Sequence, residues 1–231
     1  HAGLQLWASA LVLSDFLIAR TEVIVGRRVC ELGAGLGVCS LLAARLGAAS
    51  VLCSDGCPEV VRNCKHNVLQ NDCQGTVYTA VMNWEAHLTP PGKGERACGK
   101  VECTAEMLWG AEILLAADVL YDVAGMEAFV PLVQRLLHIG TAQVLYLADE
   151  HRTYFSSKTM RTEVEIYPQF LVACAACGLT VREIDLTGVP LRFNYDRSRF
   201  YKVLEIRCDM SSRTRTRSRS PRFQARPLSV Q

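Results

Sequence analysis

The sequence predicts an α/β protein: a mostly parallel sheet with helices on both faces and an antiparallel last strand. Three observations predict it. Short, continuously apolar runs alternate with segments of helical period from residue 27 to residue 207, the pattern of strands buried on both faces. The first run enters its helix through the glycine-rich turn "ELGAGLG". The last two runs are joined only by "TGVPLRFNYDRS", too short and too polar for a crossover helix, so they pair antiparallel.

The elements follow in order. "RRVCEL" (27–32) is a first strand ending in an acid, and "LGVCSLLAARLGA" carries apolar residues at helical spacing until Gly47 stops it. "SVLCSD" (50–55) is a second strand ending in Asp55, followed by the helix "CPEVVRNCKHNVLQND", with Pro58 near its start. "GTVYTAVMNW" (75–84) alternates as a strand and runs into Trp84; "EAHLTPPGKGERACGK", rich in Pro, Gly and charge, reads as a surface loop or insertion. "AEILLAADVLYD" (111–122) resumes the sheet, then come the helix "GMEAFVPLVQRLLHIG" and the strand "AQVLYLADE". After the mixed region "HRTYFSSKTMRTEVE" follow the helix "YPQFLVACAACGL" and the strands "TVREIDL" and "FYKVLEIR", which bring the strands to seven.

Length and composition bound the function. The 231 residues, half of them hydrophobic, supply one sizeable core, and the apolar runs are shorter than the roughly 20 residues of a membrane span. A soluble protein without membrane contact is expected. The net charge of +2 comes from the end of the chain, since "SSRTRTRSRSPRFQARPLSVQ" holds six arginines and no acid and the first 210 residues carry −4. Such a tail is expected to be disordered and open to weak contact with RNA or acidic partners. Residues 1–208 form the domain and 209–231 the Arg/Ser-rich tail. The 11 cysteines lie inside apolar elements, where Cys packs as a small hydrophobe, so an intracellular, reducing compartment, cytoplasmic or nuclear, is expected. The C-x-x-C at Cys174 and Cys177 has no second pair at metal-ligand spacing, so it reads as core packing and no metal is expected.

The glycine turn poses a choice of ligand. A dinucleotide fingerprint needs its third glycine at the position held by Val38, which counts against NAD. Gly33 and Gly35 let the backbone pass close beneath a ligand, and Glu31 can accept hydrogen bonds or face a positive group, which suits a cationic ligand better than a pyrophosphate. Asp55 ends the next strand where an acid takes ribose hydroxyls, and Trp84 follows the third strand as a face for adenine.

With these residues in place the chain resembles the seven-β-strand, Rossmann-like S-adenosylmethionine-dependent methyltransferases, and within them the methyltransferase-like group that methylates lysines of non-histone proteins. The resemblance spans about residues 4–207. It rests on "LQLWASALVLSDFL", "CELGAGLGVCSLLAARLGA", "CSD" with "NCKHNVLQN", Trp84, and "AADVLYD", which carries a D-x-x-Y signature at Asp118 and Tyr121. It implies S-adenosylmethionine as cofactor and S-adenosylhomocysteine as product, a lysine-bearing protein substrate and a monomer. By residue it implies that Trp7 lines the cofactor pocket, Gly33, Ala34 and Gly35 approach the methionine part, Asp55 holds the ribose, Trp84 flanks the adenine and Ala117 touches the cofactor.

A lysine amine with an ordinary pKa near 10.4 arrives protonated, so it must be attracted, deprotonated and aligned. Asp118 is expected to orient the ammonium group and Tyr121 to narrow the access channel, by electrostatics and positioning rather than as a strong base. Segments 85–109 and 150–165 are the expected substrate walls. The competing readings are a non-catalytic module of the same fold that docks partners through its basic tail, and a histidine or small-molecule methyltransferase.

Overall fold

The computed structural model describes residues 2–87, 100–151, 153–156, 161–164, 166–198 and 200–209. The tail expected to be disordered and part of each expected substrate wall lie outside these residues. The described residues form nine strands: β1 (Arg28–Leu32), β2 (Ser50–Asp55), β3 (Val77–Val81), β4 (Ile113–Ala117), β5 (Val144–Glu150), β6 (Thr153–Ser156), β7 (Arg161–Val164), β8 (Leu179–Ile184) and β9 (Tyr201–Cys208). The helices are α1 (Ala8–Ala19), α2 (Val38–Arg45), α3 (Pro58–Gln70), α4 (Lys100–Gly110), α5 (Val123–His138) and α6 (Tyr167–Ala176). Seven strands form one sheet in the order β3-β2-β1-β4-β5-β9-β8, while β6 and β7 pair separately. Only β9 runs antiparallel in the large sheet, against both β5 and β8, as the short polar link between the last two strands requires.

Alternation along the strands builds two cores. Val29, Val51, Cys53, Ile113 and Leu115 face α1, α2 and α3 together with Val12, Leu13 and Val60. Cys30, Leu32, Leu52, Leu114 and Ala116 face the other way, onto Leu108 of α4, Phe129, Leu132 and Leu136 of α5 and Phe170 of α6. Each Val, Leu, Ile or Phe side chain among them, fully removed from water, contributes roughly 1.5–3 kcal/mol. Cys174 belongs to the second core, where burial pushes its thiol up to about 12, and among the described residues no three His, Cys, Asp or Glu side chains are grouped to hold a metal. No described helix is long and apolar enough to cross a membrane.

Three features depart from the sequence reading. The segment before β4 holds the helix α4; its end, Leu108 and Trp109, is buried and is passed over when Pro and Gly upstream dominate the pattern. The mixed region after β5 contains a small hairpin, Thr153 opposite Val164 and Ser156 opposite Arg161. The link between β8 and β9 is tied to α1 by Asp15, a fully buried carboxylate that accepts from the Tyr195 hydroxyl at 2.7 Å, the Arg192 amide at 2.9 Å and the Arg197 guanidinium.

The chain passes from β1 to β2 on one side and later returns to β4 on the other. Neighbouring helices diverge at such a switch point, and a crevice opens outside the carboxyl ends of the strands. Glu31, Asp55, Trp84, Ala117 and Asp118 all fall at that edge.

Candidate active site

The glycine turn is shaped from below. Glu31 shares a strand face with Val29, so its side chain points toward α2 and is 2% exposed. Its Oε2 accepts from the Ser40 amide at 2.8 Å and the Ser40 hydroxyl at 2.5 Å. Glu31 therefore stands under the turn as a cap for the first turn of α2, not in the space above it. Gly33, Gly35 and Gly37 all adopt positive φ, between 54° and 78°, a region L side chains enter at a cost of about 1–2 kcal/mol. At Gly33 space matters as well: a Cβ there would lie 2.9 Å from Val119 Cγ1 and 3.4 Å from Trp84 Cζ2.

The turn is also held from the side. Ala34 donates its amide to Ser54 O at 2.8 Å, and Gly35 donates to Asp55 Oδ2 at 3.1 Å. From α3, Asn67 donates to Leu36 O at 2.9 Å and Cys64 to Gly35 O at 2.7 Å. Sequence reasoning missed Ser40, Ser54, Cys64 and Asn67 as turn-holding residues. The one available signal was the three-residue spacing of Cys64 and Asn67, which sets both on one face of α3.

Asp55 does two jobs. Its Oδ1 accepts from the Cys57 amide at 3.0 Å while Oδ2 holds Gly35, and a carboxylate with about four acceptor sites keeps room for ligand hydroxyls. Trp84 is half-buried and stacks at a tilt on Phe129, with centroids 5.1 Å apart, which leaves an edge of the indole against Gly33. Ala117 ends β4 opposite Ala148 and lies near the turn because β1 and β4 are paired at Glu31 and Leu115. Bare backbone at Gly33 and Gly35, an acid with spare acceptor sites and an indole wall together fit an adenosine ligand. Trp7 is at the N-cap position of α1 and 38% exposed. The segment just before it lies on the turn: the Gly3 carbonyl is 3.4 Å from where a Cβ on Gly35 would be.

The D-x-x-Y segment leaves β4 abruptly. Asp118 adopts φ 58°, a conformation Asp tolerates better than most residues, while its amide donates to Ala148 O at 2.9 Å. The N-cap of α5 is Asp122, whose Oδ1 accepts from the Gly125 amide at 2.6 Å, so Asp118 is not spent on capping that helix. Tyr121 is 62% exposed. Its hydroxyl is held above the usual range by partial burial and then by the negative charges of Asp122, Asp55 and Asp118. The structure thus brings Gly33, Gly35, Asp55, Trp84, Ala117, Asp118 and Tyr121 to one edge.

An open α/β sheet with a nucleoside site at its switch point defines the class. A model of the lysine methyltransferase family matches residues 1–162, and the chain belongs to that family. It is 29% identical over 188 residues to protein-lysine N-methyltransferase EFM3 of Chaetomium thermophilum, covering 78% of this chain and 48% of that protein. It is 30% identical over 175 residues to methyltransferase-like protein 22 of Mus musculus, covering 73% of this chain and 44% of that protein. The chain thus spans about half the length of these relatives. Among solved structures, magnesium protoporphyrin IX methyltransferase from Synechocystis PCC 6803 with bound SAH superposes with a TM-score of 0.55 at 14% identity, over 86% of this chain and 83% of that one. The [4+2]-cyclase SpnF superposes with a TM-score of 0.53 at 15% identity, over 78% of this chain and 60% of that one. Both share the overall fold with this chain while their named chemistry differs, so the fold alone does not choose a reaction.

Proposed function

We propose that this protein binds S-adenosylmethionine at the glycine turn and transfers its methyl group to a lysine side chain of a non-histone protein. One observation carries the reading: Asp118 and Tyr121 follow β4 at the same sheet edge as Gly33, Asp55 and Trp84, which end or follow the neighbouring strands. The family supports lysine as the acceptor.

The bound cofactor supplies an electrophilic methyl on a sulfonium. The protein's own groups do the rest. Gly33 and Gly35 present bare backbone to the methionine part, Asp55 takes the ribose hydroxyls on its remaining acceptor sites, and the Trp84 indole flanks the adenine. Asp118 attracts the incoming ammonium group, and Tyr121, exposed beside it, guides the side chain. Once the amine has lost its proton to water it is aligned for in-line displacement, and such alignment accounts for several kcal/mol of a barrier. The reading has the protein act as a monomer; the buried free thiols of the core support a reducing compartment, cytoplasm or nucleus, and the tail is left as a weak contact for RNA or acidic partners.

Calorimetric titration with S-adenosylhomocysteine and, separately, NAD tests the cofactor; radiolabelled-methyl transfer into cell-extract proteins tests the reaction. Binding of the first compound alone and labelling of lysine are expected. Asp118→Ala is expected to keep S-adenosylhomocysteine affinity within about threefold while transfer falls by a factor on the order of 100. Normal turnover by Asp118→Ala refutes its assigned role.

A further inference from the structure

The last core-facing position of β5 holds an acid. Leu145 and Leu147 alternate into the core beneath α5, and Asp149 takes the next place on that face at 3% exposure, where an apolar residue is the ordinary choice. A carboxylate withdrawn from water this far has to be held by hydrogen bonds. One of them reaches the D-x-x-Y segment, since Asp149 Oδ1 accepts from the Leu120 amide at 3.4 Å. On the preceding residue, Ala148 O accepts from the Asp118 amide at 2.9 Å. Two successive residues of β5 therefore grip two alternate amides of the segment.

That grip has a mechanical use. Asp118 sits at φ 58°, where a non-glycine residue is held by its surroundings rather than by its own preference. Tyr121 follows Leu120 directly and is 62% exposed, so little packing of its own fixes it. A segment with a strained start and an exposed end needs an anchor between them.

We propose that Asp149 is a positioning residue for methyl transfer: from the neighbouring strand it fixes the Leu120 amide, and through it the relative placement of Asp118 and Tyr121. The inference rests on the transferase reading above. It assigns Asp149 no contact with cofactor or substrate, so its removal should act on turnover and leave cofactor affinity alone.

The test compares Asp149→Ala, which removes the acceptor, with Asp149→Asn, which keeps one. Hydrogen exchange is followed at the amides of residues 118–122, alongside S-adenosylhomocysteine calorimetry and methyl transfer into a cell extract. Asp149→Ala is expected to speed exchange at Leu120 at least tenfold, to leave S-adenosylhomocysteine affinity within threefold and to lower kcat by a factor of about 10–100 with little change in KM, since misplacement by about 1 Å costs on that order. Asp149→Asn is expected to restore most of the protection and most of the turnover, which a loss of general stability would not do. Unchanged Leu120 exchange in both variants overturns the proposal, as does faster exchange with full turnover. Should Asp149→Ala not fold, Asp149→Ser and the Asn variant carry the same comparison. If the wild-type protein binds the ligand yet transfers no methyl, the transferase reading fails, while the exchange data still decide whether Asp149 fixes the turn.

Discussion

Glu31 should make stability depend on pH in a direction opposite to most carboxylates. Burial pushes its carboxyl from 4.5 up to about 7, against the hydrogen bonds from Ser40 and Cys39 that favour the charged form. The folded state therefore holds a proton that the unfolded chain, with its ordinary carboxyl, has lost. Because the folded form binds more protons between those two values, stability falls as pH rises through the window. The contribution is fully present below pH 4.5 and gone above about 7. The rise corresponds to about 3 kcal/mol in all, most of it lost between pH 5 and pH 8. Glu31→Gln keeps an acceptor for the Ser40 amide but cannot ionise. In urea denaturation at the two pH values, the wild type relative to the variant should lose roughly 2–3 kcal/mol on going from pH 5 to pH 8. An equal difference between the two proteins at both pH values would show that Glu31 does not titrate in this range, and the account of it as a buried cap held near neutrality would fall.

Three further outcomes are expected. Gly33→Ala meets Val119 at 2.9 Å at a positive φ and should lower stability by about 1–2 kcal/mol while weakening S-adenosylhomocysteine at least tenfold, read by thermal melting and calorimetry. Asp55→Ala removes the acceptor for Gly35 and Cys57 and, with it, charge-assisted bonds of about 1.5–3 kcal/mol, so calorimetry should show a Kd higher by about 10–100-fold. Asp15→Ala strands Arg197, whose side chain is 16% exposed, and should destabilise by about 3 kcal/mol; the double variant Asp15→Ala with Arg197→Met should recover part of that loss in chemical denaturation.

Much of the fold was legible because it depends on local pattern. Continuous apolar runs such as "EILLAADVL" announce strands covered on both sides, and glycine at 33, 35 and 37 announces a tight turn whatever packs around it. The antiparallel β9 followed from the length of one link. Asp55, Trp84, Asp118 and Tyr121 stood out for the same reason: each ends a strand, and the ends of parallel strands share an edge. The helix α4 was hidden because it follows a segment dominated by Pro and Gly.

What the sequence by itself determined is the order of elements, the turn and the residues at the strand ends, since these are set by period, by backbone freedom and by side-chain chemistry within a few residues. Only the tertiary structure decided which way each group faces and what it touches. Glu31 read as a ligand-facing acid and lies beneath α2 because alternation in β1 turns it to the side of Val29. Asp118 and Asp122 are two acids four residues apart at the end of β4, and only the bond from the Gly125 amide shows that Asp122 is the one that caps α5. Asp149 is one more acid at the end of a strand until β5 is laid beside β4 and its carboxylate meets the Leu120 amide, 29 residues away along the chain. Contacts of that range are fixed by how whole strands pair, which no local pattern contains.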